Sequence, residues 1–150
     1  MIRGILGSGI ASEIVPGLWQ GGYPKRPASL SRQGIDMLVL AAREIQPPWE
    51  TFPPGLEVVY APMHDNFWDG PSEDEAQIAL SAASDVSRAL DEGKTVLVTC
   101  AMGINRSGLI NALVLMDREG LTGLEAVRRV RAARPGALNN TSFVHWLASL

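Results

Sequence analysis

Cysteine occurs once in the 150 residues, at Cys100, and histidine twice, at His64 and His145. A lone thiol cannot close an intrachain disulfide, and two distant histidines with one cysteine match no zinc-ligand spacing. A disulfide scaffold and a structural zinc site are therefore excluded. Charge of one sign is also lacking, since 13 Lys and Arg stand against 16 Asp and Glu for a net charge of -3. Such a surface offers no general attraction to nucleic-acid phosphates or anionic lipid. No apolar run approaches the roughly 18 residues of a membrane span. The stretch Gly4 to Ala11 after Arg3 carries no signal-peptide cleavage pattern. These absences imply a soluble protein with no membrane and no bulk nucleic acid as partner, cytoplasmic by default although the composition equally allows a secreted chain.

What is present suits one globular domain spanning residues 1–150, with 46% hydrophobic residues and 19% charged. Residues 1–12 are expected to be a flexible N-terminal segment. Pro and Gly then separate short apolar runs. Ile14 to Trp19 reads as a strand broken by a turn, Ile35 to Ala42 and Leu56 to Ala61 as buried strands, and Gln46 to Gly55 as loop. Ser72 and Glu75 have the spacing of a capping box, opening a helix that runs to about Leu90 and is ended by Gly93. Thr95 to Thr99 is a β-branched strand, and Gly108 to Glu119 a core helix stopped by Gly120. A second capping-box pair, Thr122 and Glu125, opens a helix with Leu124, Val127 and Val130 turned inward and Arg128, Arg129 and Arg131 turned to water. The order of elements predicts an α/β fold, a central mixed or parallel sheet flanked by helices.

Chemistry concentrates in Thr99-Cys100-Ala101-Met102-Gly103-Ile104-Asn105-Arg106-Ser107-Gly108. A strand, a tight loop and a helix start follow one another here. A loop closing onto a helix N-terminus aims several backbone N–H groups into one concavity, where the helix dipole adds roughly half a positive charge. Such a cradle takes a tetrahedral oxyanion. Arg106 supplies a permanently charged fork for two of its oxygens. The same field lowers the pKa of Cys100, and a thiolate beneath a bound phosphate is a nucleophile aimed at phosphorus.

With these residues Cys100-x5-Arg106-Ser107 resembles the signature loop of the cysteine-dependent protein tyrosine phosphatases, and more narrowly of the small dual-specificity phosphatases. Val15 to Gly22 is similar to the opening strand of that domain and Ile35 to Leu40 to a central one. Arg134-Pro135-Gly136-Ala137, with Asn139 or Asn140 and Phe143, is similar to the segment leading into its last helix. The resemblance runs over about residues 13–150. It implies a protein tyrosine phosphatase-like fold and hydrolysis of phosphotyrosine, phosphoserine or phosphothreonine in proteins that uses no metal and no cofactor. Cys100 then forms a phosphocysteine intermediate, and the backbone from Ala101 through Met102, Gly103, Ile104 and Asn105 to Arg106 holds the phosphate. Ser107 hydrogen-bonds the departing thiolate. The family's general acid lies on a loop before the cysteine, which here is Pro62 to Asp69; Asp65 is the better match and Asp69 the alternative.

One departure opens a second reading. The family has histidine before the nucleophile where this chain has Thr99, which would suit a phosphate-binding module with little turnover. Asn105 before the arginine is shared with cysteine-dependent RNA triphosphatases, and the loop has no lysine of the kind phosphoinositide phosphatases use; both relatives are weaker matches. Arsenate reductases recruit further cysteines, and this chain has none. Gly4 to Gly9 lacks the strand and lysine of a phosphate loop. His145 is expected to be a packing residue, and the loop aromatics Trp49, Phe52, Phe67 and Trp68 to be edges of the core.

Overall fold

Apolar and β-branched runs form the strands β1 (Ala11–Val15), β2 (Leu18–Gly22), β3 (Met37–Ala42), β4 (Glu57–Met63) and β5 (Val96–Cys100) in a computed structural model that describes residues 11–150. They make one sheet in the order β1-β2-β5-β3-β4, with β1 antiparallel to β2 and the other pairs parallel. The segment Gly4 to Gly9 lies outside the described residues. Of the stretch 1–12 expected to be flexible, Ala11 and Ser12 belong instead to β1, paired to Gly21 and Gln20.

Four helices follow the punctuation of the sequence: α1 (Glu73–Asp91), α2 (Arg106–Glu119), α3 (Gly123–Ala133) and α4 (Thr141–Ala148). Both capping boxes form with both halves present, and Gly120 closes α2 in the left-handed conformation. Helix α2 begins at Arg106 rather than Gly108, so the arginine and serine of the signature segment stand in its first turn. Helix α3 departs from its expected face. Leu124 is 45% exposed, because Gly123 takes the inward position and packs on the α4 backbone, where a Cβ would lie 2.0 Å from the Leu147 carbonyl oxygen.

Strand alternation divides the interior. Met37, Val39, Val96, Val98 and Cys100 join the buried residues of all four helices in one cluster. Leu38, Leu40 and Leu97 face the other way onto Leu30, Ile35 and Phe52. The α-helices thus cover one face of the sheet, and irregular segments cover the other. Of the loop aromatics only Phe52 is core; Trp49, Phe67 and Trp68 are exposed, Trp68 at 89%. His145 is exposed as well. No helix among the described residues is long and apolar enough to cross a membrane.

Candidate active site

Parallel strands bring their C-terminal ends to one edge of the sheet, the place where open α/β sheets present side chains to ligands. Glu44 stands two residues past β3, Asp65 two past β4, and Cys100 is the last residue of β5. Because β5 lies between β2 and β3, Cys100 sits in the middle of this edge.

From Cys100 the chain turns tightly through Ala101 to Asn105 into α2. Gly103 has φ +70°, and a Cβ there would come within 2.3 Å of the Gly21 backbone, so loop and β2 are in backbone contact. The loop carbonyls point outward onto fixed donors. Gly103 O accepts from Gln20 Nε2 at 3.0 Å and Arg134 Nε at 2.7 Å, Met102 O accepts from Arg134 Nη2, and Ile104 O accepts from Leu138 N at 3.0 Å. In a peptide plane the N–H opposes the C=O, so outward carbonyls leave the amides of Gly103, Ile104 and Asn105 facing the concavity. Gln20 is itself fully buried and anchored by Asn111 Nδ2 at 3.1 Å. Leu138 adopts φ 57°, rare for a side-chain-bearing residue, while donating to Ile104 O and accepting from Arg131 Nη2 at 2.7 Å. Arg131, expected to be simply wet, therefore braces the segment that braces the loop.

Cys100 is buried, with Sγ 3.3 Å from Ser107 Oγ. Burial pushes its thiol up. The Ser107 hydroxyl, the backbone amides of Ser107 and Ile104 and the charge of Arg106 outweigh that, and the pKa falls below the ordinary thiol value. Thr99 takes no part, since its buried hydroxyl donates to Val39 O at 2.8 Å.

Arg106 is nearly buried and its fork is held from one side. Nη1 donates to Glu44 Oε1 at 2.6 Å and to Met63 O at 3.0 Å, and Nη2 to Glu44 Oε2 at 2.8 Å. Those bonds raise the arginine pKa further and hold the Glu44 carboxyl down at about 2. Nε is buried with no hydrogen-bond partner among the described residues. A buried charged donor of this kind is a seat for an anion.

Asp65 lies over the same edge. Its Oδ2 accepts from Asn105 Nδ2 at 2.9 Å and its Oδ1 from Asn140 Nδ2 at 2.7 Å. The preceding residue is fixed too. His64 N and Nδ1 both donate to Glu75 Oε2, at 2.8 and 2.9 Å, and Nε2 accepts from Arg43. Glu75 is the capping-box residue of α1, so the cap of that helix also pins the acid-bearing loop. Asp69, the alternative, is exposed on the far side of the Asn66 turn, with its N–H donating to Asn66 Oδ1.

The sequence-predicted Cys100, Arg106, Ser107 and Asp65 are thus brought together with the backbone of Ala101 to Asn105. Sequence reasoning missed Glu44, Gln20 and the brace made by Arg134. Gln20 and Arg134 lie in segments that carried the family resemblance, whereas nothing in the sequence marked Glu44.

Comparison with known proteins shows the family and the fold. The family model "Dual specificity phosphatase, catalytic domain" matches residues 18–150. Dual specificity protein phosphatase 26 of Homo sapiens is 31% identical over 146 residues, covering 93% of this chain. The chain spans 66% of the length of that relative. Among solved structures, human DUSP28 superposes with a TM-score of 0.76 at 26% identity, covering 93% of this chain and 91% of that one. Tk-PTP in the active form superposes with a TM-score of 0.77 at 26% identity, covering 93% and 97%.

Proposed function

The chain belongs to the dual specificity phosphatase catalytic-domain family, and from that premise we propose that it hydrolyses phosphotyrosine, phosphoserine or phosphothreonine in proteins through a phosphocysteine intermediate. One observation carries the reading: the Cys100 sulfur lies under a ring of inward amides while the adjoining Arg106 Nε is buried with no partner among the described residues. In the first step the Cys100 thiolate forms the S–P bond as the P–O bond to the substrate breaks, and Asp65 gives its proton to the leaving oxygen. The amides of the loop and the Nε edge of Arg106 hold the equatorial oxygens as charge builds on them. In the second step water gives a proton to the Asp65 carboxylate and its oxygen attacks phosphorus. The S–P bond breaks, inorganic phosphate forms, and the thiolate leaves with the Ser107 hydroxyl donating to it. The reaction needs a reduced Cys100, which suits the cytoplasm.

Hydrolysis of para-nitrophenyl phosphate, measured from pH 5 to 8 with chelator present, tests this by comparing the wild type with Cys100→Ser. Turnover that survives the chelator and disappears in the variant is the expected result. Peptides carrying each of the three phosphorylated residues then rank the substrates. A folded wild type that binds phosphopeptide without releasing phosphate would transfer the assignment to a phosphate-binding module.

A further inference from the structure

Two amides hold the carboxylate of Asp65, and neither belongs to its own loop. Asn105 comes from the signature loop and Asn140 from the N-cap of α4. We propose that Asn105 and Asn140 are positioning residues for proton transfer, aiming the Asp65 carboxyl at the leaving oxygen and locking the acid loop to the phosphate cradle. The inference rests on the reading of Asp65 as acid and base given above.

The hydrogen-bond inventory decides where the proton of Asp65 goes. Each carboxyl oxygen accepts one amide N–H and keeps one further lone pair. The amide oxygens of the two asparagines are already engaged: Asn105 Oδ1 accepts from Asn140 N at 2.9 Å, and Asn140 Oδ1 accepts from Ser142 N at 3.0 Å and Ser142 Oγ at 2.6 Å. Both asparagines turn Nδ2, not Oδ1, toward Asp65, so neither amide presents an acceptor to the carboxyl proton. It is left on the open side of the group, free to be handed over. Asn140 Nδ2 also donates to Asn66 O at 2.9 Å, so the loop is held on both sides of the carboxylate. His64 fixes the loop before the acid and Ser142 Oγ also reaches Asn66 O, but the carboxyl itself is held by these two amides, and beyond Asn66 the side chains of Phe67 and Trp68 are exposed. Proton transfer needs donor and acceptor within about 2.6 to 3.2 Å, which a wandering carboxyl does not maintain.

Asn105 shows what the arrangement costs. It occupies the N-cap position of α2, where an asparagine side chain ordinarily caps the first turn, yet makes no cap hydrogen bond. Its amide is spent on Asp65 and on Asn139 Oδ1, at 2.9 and 2.8 Å. The Ser107 amide of that first turn is turned instead to Cys100. One residue therefore contributes its backbone to the cradle and its side chain to the acid.

Leaving-group dependence tests the proposal, because losing a general acid hurts a poor leaving group far more than a good one. Turnover of phenyl phosphate and of para-nitrophenyl phosphate is measured for Asn105→Ser and Asn140→Asp, each in the wild-type and Asp65→Ala backgrounds. Asn140→Asp keeps an oxygen that can cap α4 but replaces the donor with a negative charge beside Asp65; Asn105→Ser, which adds no charge, separates loss of the donor from that charge and carries the test alone if Asn140→Asp does not fold. We expect roughly 10- to 100-fold loss on phenyl phosphate, less than about threefold on para-nitrophenyl phosphate, and no further loss on either in Asp65→Ala. Equal losses on the two substrates, or an undiminished loss in Asp65→Ala, would overturn the positioning role and leave the phosphatase reading intact. A wild type whose turnover is unaffected by Cys100→Ser would overturn both.

Discussion

The Thr99 hydroxyl donates to the carbonyl of Val39, 60 residues away in the neighbouring strand, and so points to the face of the sheet opposite Cys100. Alternation along β5 enforces this. Val96, Val98 and Cys100 enter the helix-covered cluster, while Leu97, of the same parity as Thr99, enters the other. The residue that departs from the family pattern is thus spent on holding β5 to β3. The thiol draws its stabilisation from the opposite side, from Ser107, Ile104 and Arg106.

Thr99→Val should accordingly leave kcat within about threefold and lower stability by about 1 kcal/mol, the worth of one buried hydrogen bond. Thr99→His forces a larger ring into a site that is 1% exposed and should cost about 1 to 3 kcal/mol without raising turnover. Urea unfolding and steady-state kinetics read the two effects separately. A tenfold loss of kcat in a stably folded Thr99→Val protein would show that the hydroxyl does influence the thiol.

What could be read from the chain was what lies close together in it. Cys100, Gly103, Arg106 and Ser107 fall within eight residues, and the capping boxes within four, so their geometry follows from local backbone rules. Asp65 was proposed only because its place after a strand matches that of the general acid in the family the chain resembles. Glu44 and Gln20 reach the site only because β5 is inserted between β2 and β3, which juxtaposes residues 62 and 83 positions apart; strand order leaves no periodic trace in the sequence. Leu124 was misplaced for a related reason. Helical periodicity marks an apolar stripe, but not that a glycine next to it would be used for backbone contact with α4.

Acid titration should expose the Glu44 pair. Hydrogen bonding to Arg106 is the main cause that lowers the Glu44 carboxyl from 4.5 to about 2, against a smaller opposing effect of burial. A carboxyl depressed in the folded state stabilises it above pH 4.5, and that contribution disappears as the pH falls toward 2. The stability gap between wild type and Glu44→Gln should be full at pH 7 and should close over this window. With the Glu44 side chain 55% exposed, solvent screening holds the gap to about 1 kcal/mol or less. Denaturant melts at pH 7, 4 and 3 measure it; a gap that stays constant would show the pair to be steric rather than ionic.

Ser107→Ala removes the hydroxyl that leads the stabilisation of the Cys100 thiolate. The pH midpoint for alkylation by iodoacetate should move upward, with Arg106 and the amides preventing a full return to the ordinary thiol value. Turnover should fall on the order of 100-fold, as when a single preorganised donor is lost. The loss belongs to the second step, where sulfur is the leaving group, so rapid-mixing experiments should show a burst of para-nitrophenolate followed by a slow steady rate. Absence of the burst would place the effect of Ser107 in the first step.

The outward carbonyls of the signature loop allow a comparison of two variants that loosen it to different degrees. Gln20→Leu removes the donor to Gly103 O and the acceptor for Asn111 Nδ2, both fully buried side chains, and should cost about 1 to 3 kcal/mol through the polar groups left unpaired. Arg134 Nε still holds the same carbonyl, so oxyanion binding should weaken modestly, by about tenfold or less. Gly103→Ala is more severe. Its Cβ would lie 2.3 Å from Gly21 C and 2.6 Å from Gly22 N, backbone atoms that no rotamer change can move, at a φ of +70° that alanine resists. Loop and β2 must separate, which turns the amides away from the concavity. Vanadate titration should then detect no saturable binding to Gly103→Ala, while Gln20→Leu still saturates. Equal vanadate affinity in both variants would mean that the carbonyl braces do not set the direction of the amides.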